Sequence, residues 1–64
     1  MSDPETPGLL AAERRNELIT MLAAYDKIDV SWAAKTLGTS HETIRKDLMA
    51  LESQGLLKRV HGGA

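Results

Sequence analysis

The chain has 64 residues, 42% of them apolar, and so holds at most one small domain; a chain of this size buries only about 60% of the surface its unfolded form exposes. The apolar set is nine Leu, eight Ala, three Ile, two Val and three Met, with one Trp, one Tyr and no Phe, a palette of packed helices and not of an all-β module. There is no cysteine, which excludes a disulfide framework and a thiolate metal site. Eight Lys and Arg against nine Asp and Glu give a net charge of −1, without the overall basic excess of a non-specific polyanion binder. The halves differ, however. Residues 1–32 carry six acids and three bases and residues 33–64 three acids and five bases, so a polyanion should meet the C-terminal half.

Residues 1–8 contain two prolines, a glycine and two acids without apolar periodicity, the pattern of a mobile tail. The fold is expected over 9–64. Over 9–25, Ala11, Leu18, Ile19, Leu22 and Tyr25 fall on one helical stripe, which predicts a first helix. Lys27-Ile28-Asp29-Val30 alternates polar and apolar residues and predicts a short strand. Ser31 is placed to cap a short helix over 32–37 that stops at Gly38. A third helix then starts at Ser40, or at Thr39 with Glu42 closing a capping box. Ile44, Leu48 and Leu51 carry its apolar stripe to a stop at Gly55, about four turns on. Residues 56–60 read as a strand with Lys58 and Arg59, and His61-Gly62-Gly63 as a turn, so that the chain ends where a hairpin partner would begin.

The three-residue connection Gly38-Thr39-Ser40 between two helices is the sequence form of a helix-turn-helix. The expected fold is therefore mainly α: a three-helix winged helix-turn-helix with a short strand and a truncated β-wing. With Ile44 at the centre of the buried stripe, Glu42, Arg45, Lys46, Met49 and Ser53 of helix three face outward. In a helix-turn-helix the second helix offers its N-terminal side chains to the major groove, which selects Ser40, His41, Thr43, Arg45 and Lys46. Arg donates two hydrogen bonds to guanine, Lys reaches guanine or phosphate, and Ser, Thr and His bond either. On a plain soluble helix, the same mixture of charges is a solvated face with weak local pairing.

The run Thr43-Ile44-Arg45-Lys46-Asp47-Leu48 follows Ser40 and precedes Leu51, Gly55-Leu56-Leu57 and Arg59-Val60-His61-Gly62-Gly63-Ala64. Together with Arg14, Leu18 and Leu22 upstream, it resembles the N-terminal DNA-binding domain of the DeoR family of bacterial regulators over residues 9–64. The resemblance implies a repressor of carbohydrate-use genes that binds a double-stranded DNA operator. It also implies a longer C-terminal domain, absent from this chain, that binds a phosphorylated sugar and mediates homo-oligomerisation. On that reading the chain is an excised domain, or alternatively a truncated product, without a cofactor of its own. The family match favours Arg59 as a wing contact to phosphate, with His61 and the Gly62 amide close behind. The chain departs from the pattern at Trp32, Ala33, Thr36 and Thr39, so helix two is expected to pack more thinly.

Trp32 has two readings, a phosphate contact through its indole N–H or, as its residue type favours, cover for apolar surface or an interface. Arg14 and Asp47 sit at the edges of their stripes and are expected to form a bidentate salt bridge where helices one and three meet. The two histidines stand twenty residues apart with no ligand or relay partner at helical spacing, so neither catalysis nor a metal site is expected. The longest apolar stretch, 21–25, is far short of the ~20 residues of a membrane span, and the acidic N-terminus lacks signal-peptide regions. A soluble, cytoplasmic chain is expected. The rival function is a winged helix whose outer face docks a protein partner and never meets DNA.

Overall fold

The computed structural model describes residues 10–64, so the tail expected over 1–8 lies outside the described residues. Among these residues the order is α1 (Ala11–Tyr25), α2 (Val30–Leu37) and α3 (His41–Ser53), with no sheet. The mainly α, three-helix expectation holds.

α1 opens with the Glu13 carboxylate accepting the Leu10 N–H at 3.2 Å, one of the donors a helix N-terminus leaves unpaired. It ends at Asp26, whose φ of 69° is left-handed, a conformation that Asp tolerates better than most residues. The buried stripe is turned from the expected one. Leu18 and Met21 are buried and Ile19 and Leu22 partly so, whereas Ala11 and Tyr25 are exposed. Tyr25 instead meets Trp32 at the surface, with ring centroids 5.5 Å apart and planes at 87°.

α2 begins two residues before its expected start, and Ser31 is not its cap. The Asp29 carboxylate accepts the Trp32 N–H at 2.9 Å, and Val30 and Ser31 are already helical. An acid does this work as well as a hydroxyl and adds favourable charge at the positive helix end. α2 buries Val30, Ala33, Ala34 and Leu37. Of these, Ala33 is fully enclosed, with no exposed surface. At Gly38 the backbone turns left-handed (φ 69°), and the Thr39 N–H reaches back to the Ala34 carbonyl at 2.9 Å, a terminus that suits glycine.

Ser40, and not Thr39, caps α3: its hydroxyl accepts the Thr43 N–H at 3.1 Å and donates to the Thr43 hydroxyl at 3.0 Å. Ile44, Leu48 and Leu51 are buried as expected, and with Leu18 they form the centre of the core. The helix closes with the Gly55 N–H on the Glu52 carbonyl and the Leu56 N–H on the Leu51 carbonyl, the paired bonds of a Schellman terminus.

The strands are where expectation and structure part. Neither 27–30 nor 56–60 is a strand; the described residues hold two isolated antiparallel bridges, Asp29 to Gly63 and Val60 to Gly63. Val60 and Gly63 exchange both backbone bonds (3.0 and 3.1 Å) across His61-Gly62. The chain thus turns back at once, and the return segment is present. It pairs with residues 28–30: Ile28 and Ala64 exchange bonds at 2.7 and 3.0 Å, and the Val30 N–H reaches the Gly62 carbonyl at 2.9 Å. Gly62 has φ 84°, open to glycine without strain. A Cβ on Gly63 would stand 1.7 Å from the Ile28 carbonyl oxygen. Glycine is needed there for close approach, and Ala64 is buried behind it.

Candidate nucleic-acid interface

The outward face of α3 is as expected: Glu42, Arg45, Lys46, Met49 and Ser53 are all exposed. The same helix is fixed from behind by a buried acid. Asp47, 1% exposed, receives both Nε and Nη2 of Arg14, the latter at 3.0 Å. The expected bidentate bridge between α1 and α3 is therefore present. Arg15 joins it, donating from Nε to Asp47 Oδ1 at 3.0 Å, a partner the sequence reading missed. The hydrogen bond to Asp47 holds the Arg14 guanidinium above arginine's ordinary range, against the opposing effect of its burial. With one face seated on Leu18 and the Asp47 bridge set against α1, α3 has one angle at which to present its other face.

On that face, Ser40 is engaged in the cap, and the Thr43 hydroxyl accepts from it. This leaves the Thr43 hydroxyl proton as the donor of the pair. His41 lies in the first turn and is exposed. Arg45 stands 4.0 Å from Glu42, an exposed pair too loose to restrain it. Lys46 makes no ion pair among the described residues.

The C-terminal turn adds a second edge. Arg59, His61 and Gly62 are exposed. With Arg45, Val30 and Leu48 they line a cleft of about 380 Å³ between α3 and the turn. Residues from two segments that the sequence reading selected separately thus share one concavity. Lys58 is exposed but does not line this cleft. Arg59 is held by Glu52 of α3, which accepts its backbone N–H at 3.0 Å and its Nε–H at 3.2 Å. These bonds keep the Glu52 carboxyl below the ordinary glutamate value, the backbone bond contributing most. Glu52 was not selected from the sequence. It precedes Arg59 by seven residues across a turn, a separation no helical or strand period reports.

Trp32 is 41% exposed and, with Tyr25, lies outside this cleft. Among the described residues no three His, Cys, Asp or Glu side chains group to hold a metal ion, and no helix is long and apolar enough to cross a membrane.

Residues 14–64 match the family model of the DeoR-like helix-turn-helix domain. The chain belongs to the DeoR-like helix-turn-helix family. Among relatives of this DeoR-like domain, the HTH-type transcriptional regulator GolR of Listeria innocua is 48% identical over 52 residues, covering 81% of this chain and 20% of that protein. The HTH-type transcriptional regulator GlpR of Haloferax volcanii is 41% identical over 56 residues, 88% of this chain and 22% of that protein. A putative galactitol utilization operon repressor of Escherichia coli is 40% identical over 52 residues, 81% of this chain and 46% of that protein. The chain spans about a fifth of the length of GolR and GlpR. No solved structure gives a significant match. This DeoR-like chain is a helix-turn-helix domain of the class carried by transcriptional regulators and repressors.

Proposed function

We propose that the chain is the operator-reading domain of a transcriptional repressor, which seats α3 in the DNA major groove and lays the 59–62 turn on the adjacent backbone. The observation that carries this reading is the shared cleft: Arg45 from the helix and Arg59, His61 and Gly62 from the turn line one concavity beside an exposed, cationic helix face. Base readout falls to Arg45, with Lys46 on a base or a phosphate. His41, Thr43 with its hydroxyl oriented by Ser40, Arg59, His61 and the Gly62 amide serve the backbone, which fixes register without reading sequence. The likeness to a putative galactitol utilization operon repressor supports carbohydrate-use genes as the target. In the whole protein, which acts in the cytoplasm, a C-terminal domain binds a phosphorylated sugar and brings two or more copies together on repeated half-sites. A lone domain with few phosphate contacts binds weakly, and a linked second copy raises affinity through effective concentration.

The test begins with selection of random genomic fragments on the 64-residue chain, followed by titration of a retained duplex between about 50 and 200 mM salt. Log K is expected to fall by about 0.9 per phosphate contact for each tenfold rise in salt. Arg45→Ala is expected to cost about 1 to 3 kcal/mol and to relax preference at one base pair, and Lys46→Ala to lower the salt slope by about one if it holds a phosphate. Retention of no fragment, with no salt-dependent binding, would overturn the reading in favour of a protein-docking module.

A further inference from the structure

We propose that Glu52 is a positioning residue for DNA binding: it grips Arg59 along its inner edge and so aims the outer edge of the guanidinium into the cleft shared with Arg45 and His61. The inference rests on the DNA-reading function and assigns Glu52 a role within it.

An acid on a surface offered to a polyanion is an electrostatic liability, so its presence beside a cationic cleft calls for a reason. The bonding supplies one. Each Glu52 oxygen takes a different proton of Arg59, Oε2 the backbone N–H and Oε1 the Nε–H. The first fixes where the turn leaves α3; the second fixes the plane of the guanidinium. Both terminal amino groups of Arg59 remain without a partner among the described residues. Those groups form the fork that meets a phosphate with two parallel hydrogen bonds. Arg59 is 42% exposed and Glu52 39%, so the pair stands in solvent and contributes little to folding. Its effect is to remove rotamer freedom before DNA arrives. Ordering one long side chain on binding otherwise lowers affinity by about two- to tenfold.

The proposal makes a prediction opposite in sign to that of charge alone. Glu52→Ala removes a negative charge, which by itself tightens binding to any duplex. If Glu52 positions Arg59, Glu52→Ala instead weakens binding to a mixed-sequence fluorescent duplex by about two- to tenfold and lowers the salt slope by about 0.9, the value of one phosphate contact. In an Arg59→Ala background no guanidinium remains to be aimed and only the backbone N–H bond to Glu52 is left, so loss of the negative charge outweighs it and the same Glu52→Ala change tightens binding. Glu52→Gln keeps an oxygen that accepts from Arg59 and is expected to bind more tightly than Glu52→Ala. It also serves as the probe if the alanine variant folds poorly by circular dichroism. Tighter binding for Glu52→Ala in both backgrounds, or equal affinities for the Gln and Ala variants, would overturn the positioning role while leaving the DNA reading intact. Absence of duplex binding by the unaltered chain would overturn both.

Discussion

Asp47 and Glu52 stand five residues apart on α3, and each closes its carboxylate on an arginine from another segment. Asp47 is buried under Arg14 and Arg15, whereas Glu52 and Arg59 share solvent on the far side of the helix. A buried acid is tolerable only while its cations are present, because removing one member strands the others. An exposed pair is screened by water and salt, so its folding contribution is small and what remains is geometry. The same chemical bond thus ties α3 to α1 at one position and to the terminal turn at the other.

The largest way to break this comparison is Arg14→Ala, which leaves the buried Asp47 carboxylate with only the more exposed Arg15 and is expected to destabilise the domain by about 3 to 5 kcal/mol, a drop in thermal midpoint large enough to abolish a marginal fold. A double-mutant cycle of Arg14→Ala and Asp47→Ala should show coupling. Additive single effects would show that the bridge is idle. Exchanging the charges of Arg14 and Asp47 should restore little, because Arg15 would then face a like charge. Next in size, Gly63→Ala presses a Cβ onto the Ile28 carbonyl. It is expected to cost about 1 to 3 kcal/mol, and hydrogen exchange should show the Ile28 and Ala64 amides losing protection while those of α3 keep theirs.

Acid sharpens the comparison further. The carboxyl of Glu52 is lowered in the fold. Its contribution is therefore present above the unfolded value and is lost as pH falls through the lowered folded value. Resonances of Arg59 should shift in that window, and Glu52→Gln should remove the transition. Smallest of all, Glu42→Gln breaks the 4.0 Å pair with Arg45 and is expected to change stability by no more than about 0.5 kcal/mol in chemical denaturation.

Legibility in the sequence follows the range of the forces involved. Gly38 and Gly55 end their helices where expected and Ser40 is one of the two caps expected for α3, because caps are settled by the nearest few residues; the same proximity let Asp29 take the place expected of Ser31. Arg14 and Asp47 could be paired from sequence because both lie at the edge of an apolar stripe. The addition of Arg15 depends on the reach of a long side chain, which periodicity does not encode. The segments 27–30 and 56–60 have strand composition, but strands need partners. Turning at His61-Gly62 gives residues 28–30 to Gly62 and Ala64 and leaves 56–59 without a ladder. On the candidate site, the exposed face of α3 was readable from period alone. The gathering of Arg59, His61 and Gly62 around Arg45 was not, since it depends on that same turn.

Trp32 and Tyr25 are the chain's only tryptophan and tyrosine, and they meet edge to face at the corner where α1 passes into α2. Asp29, which caps α2 below Trp32, also bridges Gly63. The near-ultraviolet dichroism of that corner is therefore expected to report whether the C-terminal turn is seated, with no label attached and with neither Trp nor Tyr on α3.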